Sequence, residues 1–305
     1  MEEPKPLITP APLREGDRIA IVSPAGIARR ENVAAAVGAL ERRGWQPCVS
    51  PHALGRSGSY SGTADERYAD FAEALLDRSV KAIMCTRGGY GAIHLLDRLD
   101  RLPLRDNAKW LIGFSDISAL HALFARHGIA SLHASMTKRL AQTAGDDPQS
   151  AMLFDILRGG KPALSFDSHR YNRAGRCRGR LAGGNLSVLS ALAATPYDIF
   201  RPGDILFIED INEPLYKIER MLEQLRMRGI LGNLGALIAG QFTGSAPDAN
   251  HSSAEEFIRD AVAAYSYPVA FNVPTGHIDD NIPLIESAEA TLDVRLNGST
   301  GLTYL

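Results

Sequence analysis

The first half of the chain repeats one unit, an apolar run followed by a turn and a helical segment, and this repeat restricts the possible folds most strongly. The spacing of the repeat predicts parallel strands joined by right-handed helical crossovers, which is an α/β fold. In such a sheet, ligands bind at the carboxyl ends of the strands. The predicted elements are strands over 18–22, 46–49, 80–85 and 109–114, helices over 31–43, 64–76 (N-cap Thr63) and 92–98, and a helix that follows residues 115–116 and runs through Ala125.

The pattern changes after about residue 160, where glycine, proline and polar residues predict a domain boundary. Alternating apolar and polar residues over 288–305 are typical of an antiparallel strand with one face exposed to solvent. We therefore predict an N-terminal domain over 1–165, a linker over 166–180 and a smaller, strand-richer α+β domain over 181–305.

Charge and composition exclude several kinds of partner. The chain of 305 residues has 33 basic and 35 acidic residues, which gives no electrostatic basis for binding nucleic acid or a membrane. The start of the chain lacks the basic and apolar regions of a secretory signal, and no apolar run reaches the roughly 18 residues that span a bilayer. The cysteines are few and form no CxxC pair. We expect a cytoplasmic protein.

Ser115 is a candidate nucleophile because it lies where a predicted buried strand meets a helix. A serine on such a turn presents its hydroxyl above the sheet, beside the N–H groups that begin the helix. The GxSxG pattern is not met, since Ile117 stands where the second glycine would be. The segment alone also fits a helix cap formed by Ser115 or Asp116, and both interpretations stay open.

A glycine-rich loop, residues 87–91, follows the neighbouring predicted strand. Glycine allows the backbone to approach a ligand closely, so one N–H of this loop and one of Asp116 could together bind an oxyanion. The loop matches neither GxxxxGK[ST] nor GxGxxG, and by itself it equally fits a tight turn without a ligand.

Two adjacent carboxylates, Glu209 and Asp210, end the apolar run 205–208. A buried carboxylate needs a partner, or its pKa rises until the group is neutral. A histidine is one natural partner, and a carboxylate that orients an imidazole is typical of a catalytic triad. The alternative is that both carboxylates are exposed at the strand end or cap the following turn.

His277 follows an apolar strand in a loop that Pro274 and Gly276 constrain, which suits a general base. The other histidines lie in predicted helices or polar loops, except His133, which follows a short apolar run and is the serious competitor. The chain contains no HExxH, and histidines and carboxylates are not paired at metal-ligand spacing. We therefore expect neither a metal nor another cofactor.

Several short segments, each weak evidence by itself, are informative because they occur together in a particular order along the chain. Together they resemble the LD-carboxypeptidase family of serine peptidases, over nearly the whole length of the sequence. The matching segments are Ser23-Pro24-Ala25-Gly26, Arg87-Gly88-Gly89-Tyr90-Gly91, Gly113-Phe114-Ser115-Asp116, Gly183-Gly184-Asn185-Leu186, Glu209-Asp210-Ile211-Asn212-Glu213-Pro214 with Ile218-Glu219-Arg220-Met221-Leu222, and Gly276-His277.

The resemblance implies a Rossmann-like N-terminal domain with a parallel sheet, a smaller β-rich C-terminal domain, and a triad shared between them. It implies that Ser115 is the nucleophile, His277 the general base and Glu209 the group that orients it. The amides of Gly89 and Asp116 would stabilise the oxyanion.

The activity that the resemblance implies is release of terminal D-alanine from murein tetrapeptide, L-Ala-γ-D-Glu-meso-diaminopimelate-D-Ala, through an acyl-enzyme. This reaction belongs to peptidoglycan recycling in the cytoplasm, needs no metal, and is commonly carried out by a homodimer. Arg87 is a candidate for binding a carboxylate of the murein peptide, although it also fits a structural role.

Two other functions remain open alternatives, and a third is disfavoured because its nucleophile is missing. Microcin-immunity relatives hydrolyse peptidyl-nucleotides, but a site for a base needs an aromatic surface, and residues 146–180 contain no tryptophan. A non-catalytic protein that binds small ligands could use the same glycine-rich sheet edge. A class I amidotransferase needs a nucleophilic cysteine, whereas position 115 is serine and Cys85 lies in a predicted buried strand.

Overall fold

A computed structural model describes residues 5–249, 251–296 and 298–305. The strands are β1 (Arg18–Val22), β2 (Gln46–Val49), β3 (Val80–Cys85), β4 (Trp110–Gly113), β5 (Ser131–His133), β6 (Ala163–Phe166), β7 (Gly175–Asn185), β8 (Ile205–Ile211), β9 (Ala236–Thr243), β10 (Val269–Ala270), β11 (Leu284–Glu286), β12 (Glu289–Val294) and β13 (Thr300–Tyr304). The α-helices are α1 (Arg30–Glu41), α2 (Ala64–Leu76), α3 (Leu96–Leu99), α4 (Ser118–Arg126), α5 (Thr137–Thr143), α6 (Pro148–Leu157), α7 (Leu186–Leu192), α8 (Leu215–Met227) and α9 (Ala254–Ala261).

The chain forms two compact units. The first unit contains Met1–Gly160 and Ile282–Ser287, and the second contains Lys161–Asn281 and Ala288–Leu305. Within the described ranges, no helix has the length and apolar character needed to cross a bilayer.

The first unit is built on a mostly parallel sheet in the order β11-β5-β4-β3-β1-β2, in which only β11 runs antiparallel to its neighbour. The inner strands β1, β3 and β4 are almost entirely buried, which explains their unbroken apolar sequences. Helix α2 begins with the predicted cap at Thr63, whose side chain accepts the Glu66 N–H in a reciprocal capping box. These elements confirm the predicted α/β class.

The second unit has a mixed sheet in the order β10-β9-β8-β7-β12-β13-β6. Strands β7 to β10 are parallel, and helices α7, α8 and α9 lie between them along the chain. The remaining pairs are antiparallel, and burial alternates along β12 as its sequence predicts. The buried leucine and isoleucine side chains of α8, spaced three and four residues apart, share one apolar cluster with β8 and β9.

Two predicted boundaries differ from the compact units. The first unit ends at Gly160 rather than at residue 165, and it regains residues 282–287 because β11 pairs with β5. The segment 166–180, predicted as a linker, contains the first half of β7, which pairs with β12. The residues of that half are exposed or half-buried, and its polar sequence therefore has the composition of a loop.

Candidate active site

Ser115 occupies a constrained turn at the carboxyl end of β4. The strand ends at Gly113, and Ser115 begins a short 3₁₀ turn that leads into α4. Its φ angle is +66°, a left-handed conformation that is unfavourable for a non-glycine residue and concentrates at functional sites. Gly113 has no room for a side chain, since a Cβ there would lie 2.9 Å from the Ile117 side chain. The backbone therefore holds the Ser115 hydroxyl at a sharp bend.

The alternative that Ser115 or Asp116 caps this helix is wrong. Neither the 3₁₀ turn nor α4 has a capping hydrogen bond from a side chain. The buried Asp116 carboxylate instead accepts the N–H of Ala92, at 2.8 Å, and so connects the serine turn to the end of the glycine loop. Burial raises the pKa of Asp116, and the Ala92 hydrogen bond together with the charges of His94 and Arg67 opposes that rise.

The glycine loop lies directly against Ser115. A Cβ on Gly88 would fall 2.7 Å from Ser115 Cβ and 2.8 Å from its Oγ, which only glycine avoids. The next residue, Gly89, has φ +108°, a conformation in which any side chain would be strained. Gly88 also accepts the Gly26 N–H at 3.0 Å, so the loop is held by the turn that follows β1.

Arg67 was not predicted as a site residue, yet its side chain connects the glycine loop, the turn after β1 and the segment before α2. Arg67 is 3% exposed, and its guanidinium donates to three backbone carbonyls, those of Pro24 at 2.7 Å, Gly91 at 2.8 Å and Gly62 at 3.2 Å. The sequence carries little sign of this role, because an arginine in the first turns of an amphipathic helix is usually solvated. A cavity of about 630 Å³ opens beside these loops, lined by Gly26, Ile27, Arg56, Gly58, Ser59, Arg87, Gly89 and Tyr90.

In the second unit, Glu209 lies at the carboxyl end of β8 and is fully buried. Its Oε2 lies 2.7 Å from His277 Nδ1. The register between β8 and β9 shifts here, so that Gly240 and Gln241 lie opposite Glu209. Such a bulge redirects a side chain. The carboxylate can hold the imidazole in the tautomer that carries its proton on Nδ1, which makes Nε2 the basic nitrogen.

The loop that carries His277 is fixed from two sides. Gln241 donates its N–H to the Thr275 carbonyl at 2.9 Å, and the buried Asn281 side chain accepts the Gly276 N–H at 2.8 Å. Gly276 has φ +123°, and a Cβ there would lie 2.9 Å from Glu209 Cβ. Sequence reasoning identified Gly276 but missed Asn281, which has no motif of its own.

Asp210 has a different role from its neighbour. Its carboxylate accepts the Asn185 side-chain amide and the Ser187 N–H, both at 2.9 Å. Asn185 in turn caps α7 by accepting the Val188 N–H. Burial raises the pKa of Asp210 to about 6, an effect that its hydrogen bonds partly oppose. Only Glu209 of the two carboxylates contacts the histidine.

The competing histidine, His133, is fully buried at the end of β5 in the first unit, where its ring contacts Phe114.

The structure brings Glu209 and His277 together in the second unit, and Ser115, Asp116 and the glycine loop with Arg87 and Gly89 together in the first. Among the described residues, no group of three or more His, Cys, Asp or Glu side chains could hold a metal ion.

Comparison with known proteins identifies the family. Residues 19–134 match the LD-carboxypeptidase N-terminal domain, and residues 178–292 match the LD-carboxypeptidase C-terminal domain. Murein tetrapeptide carboxypeptidase of Pseudomonas aeruginosa is 32% identical over 269 residues, which cover 85% of this chain and 88% of that protein. This chain belongs to the LD-carboxypeptidase family.

Other members extend the comparison. The crystal structure of muramoyltetrapeptide carboxypeptidase from Oxalobacter formigenes has 28% identity and a TM-score of 0.86, covering 94% of this chain and 98% of that one. The microcin C7 self-immunity protein MccF of Escherichia coli is 28% identical over 280 residues, covering 79% of this chain and 80% of that protein. The family therefore includes proteins named for different substrates.

Proposed function

We propose that this LD-carboxypeptidase family member is a serine carboxypeptidase that releases terminal D-alanine from murein tetrapeptide. The observation that carries the proposal is the hydrogen bond between the buried Glu209 carboxylate and His277 Nδ1, at 2.7 Å. A buried carboxylate on one imidazole nitrogen prepares the other nitrogen to act as a base. The murein substrate is supported by the names of the relatives in Pseudomonas aeruginosa and Oxalobacter formigenes.

In the proposed first step, His277 Nε2 takes the proton of Ser115 Oγ while that oxygen attacks the carbonyl carbon of the penultimate residue. Glu209 holds the Nδ1 proton of His277 and stabilises the imidazolium that forms. The carbonyl oxygen becomes negatively charged, and the backbone amides of Gly89 and Asp116 donate hydrogen bonds to it.

In the second half, the tetrahedral intermediate collapses and its C–N bond breaks. His277 gives its proton to the leaving nitrogen, so that D-alanine departs as the free amino acid. Water, deprotonated by His277, then attacks the Ser115 ester and releases the tripeptide. Each proton that His277 accepts is returned within the cycle.

Two features of the first unit support Ser115 as the nucleophile. The positive φ of Ser115 fixes its hydroxyl at the bend, and Gly88 leaves no space between the serine and the glycine loop. Arg87 is proposed to bind a carboxylate of the substrate, because this arginine lines the cavity together with Gly89.

The test is mass spectrometry of murein tetrapeptide incubated with wild type, Ser115→Ala and His277→Ala, with a chelator in every reaction. We expect tripeptide and free D-alanine from wild type, and a rate lower by roughly 10⁴-fold or more from each variant. Circular dichroism of the variants controls for folding. If wild type leaves the tetrapeptide intact but hydrolyses a peptidyl-nucleotide, the proposed murein substrate is wrong. Turnover of the tetrapeptide by Ser115→Ala at close to the wild-type rate would refute the serine mechanism.

A further inference from the structure

Two arginines line the cavity beside the glycine loop, Arg56 and Arg87. Each makes one hydrogen bond to a backbone carbonyl, Arg56 to Gly58 at 3.4 Å and Arg87 to Ile27 at 3.2 Å. A guanidinium has five N–H donors, so most of their donors remain available. Two adjacent cationic groups with unused donors are suited to an anionic ligand.

Neither charge is neutralised locally. Among the residues that the structure describes, no carboxylate lies within ion-pair distance of Arg56 or Arg87, and the cavity lining includes no acidic residue. Other arginines of the same unit are paired, such as Arg43 with Asp146 at 2.7 Å and Arg98 with Asp65 at 2.5 Å. The cavity therefore has an unbalanced positive charge that a bound anion would compensate.

The loops that present these arginines are held together by backbone hydrogen bonds. Ser57 and Tyr60 exchange two such bonds, at 2.9 and 3.0 Å, which close the turn after Arg56. Ser61 donates to the Ala25 carbonyl at 3.0 Å, and Gly26 donates to the Gly88 carbonyl at 3.0 Å. The turn after β1 thus connects both arginine-bearing loops, and such preorganisation lowers the entropic cost of binding.

The position of the cavity indicates which anion it would hold. Gly89 lines the cavity, and its neighbour Gly88 packs on Ser115, so a ligand there lies beside the proposed oxyanion amides. In a C-terminal peptide substrate, the terminal carboxylate is separated from the scissile carbonyl carbon only by the amide nitrogen and one Cα. The carboxylate of the leaving residue must therefore lie close to the oxyanion site.

We infer that Arg56 acts with Arg87 to bind the C-terminal carboxylate of the residue that is cleaved, and that this pair restricts the enzyme to chain ends. The inference rests on the proposed function and adds to it a second specificity residue, Arg56, and the identity of the carboxylate. It also explains why a cavity of about 630 Å³, within the usual range for ligand sites, has cationic walls at this point.

The experiment compares two peptides that differ in one charge, murein tetrapeptide with a free D-alanine carboxylate and the same peptide ending in D-alaninamide. Both are tested with wild type, Arg56→Gln, Arg87→Gln, Arg56→Lys and the control Arg101→Gln, which changes an exposed arginine outside the cavity. We expect wild type to prefer the free acid, and Arg56→Gln to lose roughly tenfold to a hundredfold in kcat/KM on the acid, mainly through KM.

The same variant should lose much less on the amide, so its acid-to-amide ratio falls towards one, while Arg56→Lys restores part of the ratio and the control keeps it. An active Arg56→Gln enzyme with the wild-type ratio would overturn the inference and leave the proposed function intact. Wild type that cleaves both peptides equally would do the same. Wild type that cleaves neither peptide would overturn the proposed function and the inference together.

Discussion

The two units place functional residues at the same kind of position, the carboxyl end of a parallel strand, but they fix those residues by different means. After β4, backbone conformation is decisive: Ser115 has a positive φ, and Gly88 must lack a side chain to lie against it. After β8, a buried charge is decisive, because Glu209 is fully buried and its carboxylate contacts His277. Steric changes should therefore damage the first region most, and changes of charge the second.

The largest expected effect tests the second region. Glu209→Gln keeps the shape of the side chain but can no longer hold His277 in the required tautomer, so kcat should fall by roughly 10⁴-fold with little change in KM. The measurement is steady-state release of D-alanine. The matched control is Asp210→Asn next to it, which should keep most activity because Asp210 contacts α7 rather than His277. Equal losses from the two substitutions would contradict the distinction between the carboxylates.

The next effect tests the steric character of the first region. Gly88→Ala places a methyl group 2.7 Å from Ser115 Cβ, which forces the loop or the serine to move. A displacement of about 1 Å at a reacting group costs on the order of a hundredfold in rate, and we expect a loss of that size in kcat. The control is Gly38→Ala in α1, where the added Cβ meets only the flexible Arg42 side chain, at 3.4 Å, and should stabilise the helix.

The scaffold of the first region should be sensitive to loss of Arg67. Arg67→Met fills similar space but leaves the carbonyls of Pro24, Gly62 and Gly91 without their donor. Each unsatisfied buried group costs about 1–3 kcal/mol, so a substantial fall in the free energy of unfolding is expected. Denaturant unfolding measures it, with Arg101→Gln as the neutral comparison. Unchanged stability would show that these loops do not depend on the buried guanidinium.

The smallest effect concerns pH and the second region. Burial raises the pKa of Asp210 from 3.8 to about 6, so between these values the folded protein keeps a proton that the unfolded chain releases. This group therefore makes the protein less stable as the pH rises from about 4 to about 6, and its contribution is constant above that. The difference in unfolding free energy between wild type and Asp210→Asn should change in that interval. A difference independent of pH would contradict the raised pKa.

The sequence was sufficient for much of the first unit. Strands β1 and β3 and helix α2 have the predicted bounds, because apolar runs and a capping box are local signals. Helices α5, α6 and α9 were not predicted. Strand β11 was not predicted either, since three residues acquire their partner only by returning to β5. Tertiary pairing of this kind leaves no pattern in a short segment.

The candidate site was predictable to the same extent. Ser115, Glu209 and His277 could be named as candidates because each ends an apolar strand or lies in a constrained loop, and the family resemblance then assigned them to one triad. The supporting residues could not, since Arg67 and Asn281 act through backbone groups that are distant in sequence. The positive φ of Ser115 was also hidden, because a left-handed turn is usually indicated by glycine, which is absent at that position.

We propose that Ser115 forms an ester with the peptide, and trapping that ester is the decisive test of the mechanism. Wild-type enzyme and tetrapeptide are mixed, quenched in acid within milliseconds and digested, and the serine peptide is measured by mass spectrometry. We expect the peptide containing Ser115 to gain the mass of the tripeptide acyl group, at the same time as a burst of D-alanine. An adduct on another residue, or release of D-alanine by Ser115→Ala at the wild-type rate, would contradict it.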